Sequence, residues 1–306
     1  MHPLEFVLAA AFSTATPLVL AALGELVAEK SGVLNLSVEG LMALAAAIAF
    51  MVTVTESSHF LGFVAGGLAA MLLSSVFAVL VLFFMANQVA AGLAVGILGL
   101  GLSALLGHAY EGTTLVPPSK LSLGVLTKIP FVGPILFAQD YGVYLALGIG
   151  ILVTWFLYRT KSGLVLRVIG ENPEAAHSIG LSPIAIRFRA VLFGGLMAGF
   201  AGAYASTVLT PLWSQGMIAG RGWIAVALVI FGTWRPVRIM VGAYFFGAVS
   251  MLEPTVQAMG FAIPSQIMTC LPYILTILVL AVVSADRIRI RLNAPASLGE
   301  SYRPAG

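Results

Sequence analysis

Apolar runs of roughly bilayer length recur from one end of this chain to the other, and they decide what it can fold into. They cover residues 3–23, 41–55, 60–84, 91–108, 141–158, 190–209, 236–252 and 269–284, with a shorter apolar stretch at 221–234. A helix needs about 20 such residues to cross the hydrocarbon core of a bilayer. Inside lipid, backbone N–H and C=O groups find no water, so a spanning segment must satisfy them internally, as a helix does. The pattern therefore predicts an all-α polytopic transmembrane bundle of about nine crossings, within a range of 8–10. Composition agrees. Charged residues are 9% of the 306 positions and hydrophobic ones 60%, whereas soluble domains carry roughly 25% charged residues. The runs leave no stretch for a separate soluble domain, so residues 1–306 are read as one transmembrane domain. The first run lacks a basic leader and a small-residue cleavage site, and is read as a retained span.

Orientation follows from lysine and arginine, which collect on the cytoplasmic side. With the polar loop at about 159–189 placed inside, Lys30, Arg159, Lys161, Arg167, Arg187, Arg189, Arg235, Arg238, Arg287, Arg289, Arg291 and Arg303 fall inside. Lys120, Lys128 and Arg221 fall outside. A basic tail at about 285–306 is thus cytoplasmic and the N-terminus external. The net charge of +3 reflects this sidedness and does not indicate a nucleic-acid partner.

Enzymatic readings find no support. The chain has no glycine-rich phosphate loop ending in Gly-Lys-Ser/Thr. His2, His59, His108 and His177 are far apart, without metal-ligand spacing. Cys270 is the one cysteine, which allows neither an intrachain disulfide nor a cysteine-based metal site. No nucleophile motif and no close carboxylate pair is found within a span. No catalytic residue, no metal and no cofactor is expected on this chain.

Polar residues at membrane depth are costly and therefore informative. In Gly32-Val-Leu-Asn-Leu-Ser-Val-Glu-Gly40, two glycines bracket Asn35, Ser37 and Glu39. Such a segment reads as a broken or re-entrant helix lining a cavity, or else as a solvated loop. Asn87 and Gln88 offer amides that both donate and accept, or form a polar turn at the membrane boundary. Arg221 and Trp223 open the short apolar stretch; Arg221 would cap the extracellular mouth, meet an acidic partner or snorkel at the interface, and Trp223 suits an interface.

The loop at 161–189 carries its own start and stop signals. Asn172 is a suitable cap, Pro173 fits a first helical position, and Gly180 a C′ position. Between them Glu174, Ala175, Ala176 and Ile179 form a short helix of about two turns. It is either a docking element or a connector.

The polar blocks together resemble the permeases of ABC importers in the simple-sugar and nucleoside group, which also includes ribose and branched-chain amino-acid permeases. The resemblance rests on Gly32-Val-Leu-Asn-Leu-Ser-Val-Glu-Gly40, Asn87-Gln-Val-Ala-Ala-Gly-Leu-Ala94, Arg167-Val-Ile-Gly-Glu-Asn-Pro-Glu-Ala-Ala176 and Gly220-Arg-Gly-Trp-Ile-Ala-Val-Ala227, in that order. Ribose-type members carry Asp where Asn35 stands. The chain is most similar to the shorter of two paired nucleoside-type permeases. The resemblance implies a subunit of the bacterial or archaeal cytoplasmic membrane that moves a small neutral polar solute by alternating access. A nucleoside is expected; a simple sugar or branched-chain amino acid is the alternative, and an ion-coupled carrier a more distant one. It also implies a separate ATPase subunit holding ATP and Mg, a second permease (non-identical in this group, although an identical pair stays open), an extracytoplasmic binding protein, and surrounding lipid. Asn35, Ser37, Glu39, Asn87, Gln88, Arg221 and Trp223 would line the solute path. Gly170, Asn172, Pro173, Glu174, Ala175, Ala176, Ile179 and Gly180 would couple to the ATPase.

Overall fold

A computed structural model of the chain describes residues 3–121, 127, 129, 132–258, 270, 271, 274, 277, 278 and 293–303. Within them the order is α1 (Pro3–Lys30), α2 (Val38–Glu56), α3 (His59–Leu82), α4 (Gln88–Gly107), α5 (Val132–Leu136), α6 (Tyr141–Arg159), α7 (Lys161–Glu171), α8 (Pro173–Ser178), α9 (Pro183–Tyr204), α10 (Arg221–Phe231), α11 (Pro236–Ser250) and α12 (Leu252–Ala258). The all-helical expectation holds. The only β pairing among the described residues is an isolated bridge between Thr114 and Leu212.

Among the described residues, seven helical stretches are long and apolar enough to cross a membrane: Val7–Lys30, Val38–Glu56, His59–Leu82, Gln88–Tyr110, Tyr141–Arg159, Pro183–Leu209 and Pro236–Gln257. The expected run at 269–284 lies almost wholly outside the described residues. The stretch at 221–234 forms α10, whose 11 residues span about 16 Å, half a bilayer. Two further boundaries move. The first span continues past residue 23 to Lys30, taking Glu25 and Glu29 inside the helix. The sixth begins at Pro183, not near 190, so that Arg187 is buried within α9.

Helix α9 stands at the centre, packed against α1 on one side and the α2–α3 pair on the other. Around α1 are also α6, α10 and α11, and α4 packs on α2. Small residues permit this density. A methyl group on Gly40 would come within 2.0 Å of the Gly96 carbonyl oxygen, and one on Gly99 within 2.5 Å of the Gly40 carbonyl oxygen. Helices α2 and α4 thus meet backbone to backbone. At the end of the bundle away from α8, Asp140 caps α6 through the amides of Gly142 (2.9 Å) and Val143 (3.2 Å) and accepts a bond from the Tyr204 hydroxyl (2.7 Å).

Candidate functional site: a buried irregular segment joined to a solvent-facing short helix

The link between α1 and α2 is irregular, and its backbone partners can be traced. Below Lys30 the chain turns, with the Gly32 amide donating to Glu29 O at 2.8 Å. It then climbs back beside α1, so that the Asn35 amide reaches Glu25 Oε1 at 3.0 Å. Glu25 lies about 7 Å up the helix from Lys30. Helix α2 therefore starts within the bundle. Backbone left free of a helix at this depth must be satisfied by protein. The Leu34 amide donates to Gln88 Oε1 (2.7 Å), while the Ser37 amide (3.0 Å) and hydroxyl (2.5 Å) both donate to Asn35 Oδ1. Asn35 and Ser37 are fully buried and Gln88 nearly so. Gln88 and Asn35 Oδ1 hold main-chain groups, the Ser37 hydroxyl holds the Asn35 side chain, and Asn35 Nδ2 has no hydrogen-bond partner among the described residues.

Glu39 continues the arrangement. It sits in the first turn of α2, and its carboxylate accepts from the amides of Gly220 (2.8 Å) and Gly222 (2.7 Å). Those amides open α10, where unsatisfied donors and the helix dipole favour a negative charge. Arg221 starts α10 between the two glycines that Glu39 holds, one α10 length, about 16 Å, from the end near which the Trp234 indole donates to Glu29 Oε2. Trp223 is 43% exposed on α10. A cavity of about 230 Å³ adjoins Glu39, lined also by Leu100, Ser103, Trp213 and Gln215. Asn87 stands apart from this group. It is exposed and caps α4 through the Ala90 amide at 3.0 Å.

Glu25 and Glu29 were missed from sequence. Both are buried, spaced four apart on one face of α1. The spacing itself was the available signal, because two carboxylates one turn apart in an apolar run share a buried stripe.

The coupling candidates assemble at one end. Helix α8 forms as its capping signals predict. Asn172 Oδ1 accepts from the Ala175 amide at 2.9 Å, and Pro173 takes the first position. Gly180 has φ of 86°, a conformation that side chains with a Cβ disfavour. The Leu181 amide closes on Ala176 O at 3.1 Å. Ala176 is buried, Glu174 and Ala175 are exposed, and Ile179 is 72% exposed. The residues before α8 form a further helix, α7, where an irregular loop was expected.

Residues 293–303 strap this end together. Ser297 donates to the Gly170 carbonyl through its amide (3.0 Å) and hydroxyl (2.7 Å), and the Gly299 amide donates to Gly32 O at 3.3 Å. Gln88 Nε2 donates to Glu300 O at 3.2 Å, and Lys30 Nζ to Asn293 O at 2.6 Å. Arg187 is the pin. Its Nε donates to Ser31 O (2.9 Å) and its Nη2 to Ser297 Oγ (2.8 Å). A polar cleft of about 330 Å³ lies between the strap and the Glu171–Glu174 turn.

Comparison with known proteins places these features in context. A family model described as branched-chain amino acid transport system / permease component matches residues 7–280. TsgC13 of Haloferax volcanii, provisionally named a glucose ABC transporter permease protein, is 38% identical, with 96% of each chain covered. The guanosine ABC transporter permease protein NupQ of Bacillus subtilis is 31% identical over 98% of this chain and 97% of its own. The nucleoside ABC transporter permease protein NupC of Lactococcus lactis is 29% identical over 99% and 98%. No solved structure matches.

Proposed function

The chain belongs to the family of branched-chain amino acid transport system permease components, and from that premise we propose that it imports a nucleoside. It is a multi-pass membrane protein and a transport subunit of an ABC importer, not a catalyst; ATP and Mg belong to a separate ATPase subunit. In our reading the α8 end faces the cytoplasm and α8 docks on that ATPase through Asn172, Pro173, Glu174, Ala175, Ala176, Ile179 and Gly180. A second, non-identical permease completes the path, and an extracytoplasmic binding protein delivers solute to the opposite end.

One observation carries the reading. The docking helix and the buried segment at 31–37 belong to one hydrogen-bonded assembly. From α8 the connection runs through Gly170 to Ser297, through Arg187 to Ser31, through Gln88 to Leu34, and through Glu39 to the start of α10. Displacement of α8 by the ATPase is thereby passed to residues at membrane depth. Along the solute path we assign Asn35, Ser37, Asn87 and Gln88 to shaping the wall, since Asn35 Oδ1, Asn87 and Gln88 hold backbone groups and the Ser37 hydroxyl holds Asn35. Glu39 lines the cavity, Arg221 and Trp223 follow it at the start of α10, and the half-exposed Trp223 ring suits stacking on a flat base.

The name of TsgC13, the relative at 38% identity, favours glucose as a second reading. Both solutes are neutral and rich in hydroxyls. Uptake of labelled guanosine and labelled glucose in a strain lacking the gene, with and without complementation, separates them. The nucleoside reading expects restored guanosine uptake that unlabelled glucose leaves intact. Restored glucose uptake alone transfers the assignment to the sugar.

A further inference from the structure

A cavity of about 640 Å³ opens on the flank of the bundle between α1, α6, α7 and α9, away from the strap and from Glu39. Its walls are apolar, with Leu152 and Trp155 from α6 and Phe193 from α9. Its polar lining is confined to Lys161 and Ser162 at the start of α7 and Arg189 in α9. Lys161 and Arg189 are exposed, and neither forms an ion pair or hydrogen bond with a described residue.

We propose that this cavity binds one anionic glycerophospholipid, with an acyl chain along the apolar wall and the phosphate between Lys161 and Arg189. Three observations select that occupant. The size falls within the range of about 300–1,000 Å³ usual for ligand pockets. The α6 wall is continuous with an exposed apolar surface on a helix long enough to cross a membrane, where Ile151, Leu152 and Trp155 are all more than half exposed. Trp155, Tyr158 and Arg159 mark the end of that helix with the residue types that gather at headgroup level. Charge then decides the headgroup. Two unpartnered cations face the mouth, and the N-terminus of the 11-residue α7 adds partial positive charge of the same sign. The Ser162 hydroxyl can donate to a phosphate oxygen. A water-soluble anion would leave the apolar wall wet, and a zwitterionic lipid would bring its own cation to the mouth. The site does not depend on which solute is carried.

Native mass spectrometry of the purified full chain in detergent, titrated with phosphatidylglycerol and with phosphatidylcholine of the same acyl chains, tests the assignment. Phosphatidylglycerol is expected to bind more tightly. One cation near an anionic lipid surface is worth roughly five-fold in affinity, so the pair is worth roughly 30-fold. Lys161→Gln/Arg189→Gln should abolish the preference, Arg189→Lys should keep most of it, and Val165→Trp, which fills the groove, should weaken both lipids. Arg189→Lys keeps the proposal open to test if the double variant folds poorly. Equal binding of the two lipids overturns the proposal, as does a preference that survives in the double variant or displacement by inorganic phosphate. A photo-crosslinker at Leu152 in native membranes should capture lipid; capture of another protein subunit overturns it as well.

Discussion

The carboxylate of Glu39 stands 2.7 Å from the amide of Gly222, a residue 183 positions farther along the chain. It stands 2.8 Å from the amide of Gly220. One side chain thereby ties the first turn of α2 to the first turn of α10. A hydrogen bond to a charged group contributes about 1.5–3 kcal/mol. Glu39→Gln keeps one acceptor oxygen but turns an NH₂ group toward a backbone N–H. We expect a loss of about 2 kcal/mol, read as a lowered midpoint in detergent thermal unfolding, and a larger loss for Glu39→Ala. A midpoint unchanged in both variants would show that the contact contributes nothing.

Arg187 bridges α9, the turn at Ser31 and the strap at Ser297. Lysine carries the same charge on a single nitrogen and cannot reproduce the planar fork. Arg187→Lys is therefore expected to release residues 293–303 while the bundle stays folded. Limited proteolysis checks this. Cleavage near the strap should accelerate with the circular dichroism unchanged, and wild-type cleavage rates would refute the pinning role.

Asn172 caps α8 by accepting the Ala175 amide. Replacing such a cap with alanine costs about 1 kcal/mol, a large share of what holds a six-residue helix. In Asn172→Ala, amide exchange over 173–178 should rise about five-fold, and solute-stimulated ATP hydrolysis by the assembled transporter should fall. Unaltered hydrolysis alongside faster exchange would separate the cap from coupling.

Gly40 and Gly101 give opposite expectations for the same substitution. Gly40→Ala places a methyl group 2.0 Å from the Gly96 carbonyl oxygen, and Gly101→Ala meets nothing within 4 Å. Overpacking of this kind typically costs 1–3 kcal/mol, often about 2. The helix-propensity gain from glycine to alanine is about 1 kcal/mol. Gly40→Ala should lower expression and thermal stability, and Gly101→Ala should leave both intact or improved. Size-exclusion profiles of the two variants side by side are enough to decide.

Much of this was legible in the sequence, and the residues show why. The bounds of α8 follow from Asn172, Pro173 and Gly180, because capping is local chemistry. The irregular course of 31–37 follows from Gly32, Gly40 and the polar residues between them. Helix α7 was read as loop because Lys161, Arg167 and Glu171 make it polar, and its amphipathic face appears only when it packs beside α6. The anchoring of the start of α10 depends on Glu39, which is remote in sequence from Gly220 and Gly222. Glu25 and Glu29 looked like loop carboxylates because buried charge inside a span is rare. Their bonds to the Asn35 amide and the Trp234 indole exist only once the chain has folded back.

The seam between α2 and α4 has a mechanical consequence. Side chains act as bearings between packed helices, since changes of rotamer let one helix slip past its neighbour. At Gly40, Gly96 and Gly99 there are no rotamers to change, and slippage would drive carbonyl oxygens directly into the opposing main chain. The two helices therefore travel as one rigid plank. Because Glu39 grips the start of α10 from its edge, α10 is towed with it. Any relative motion of the packed helices is expected around that plank and not within it.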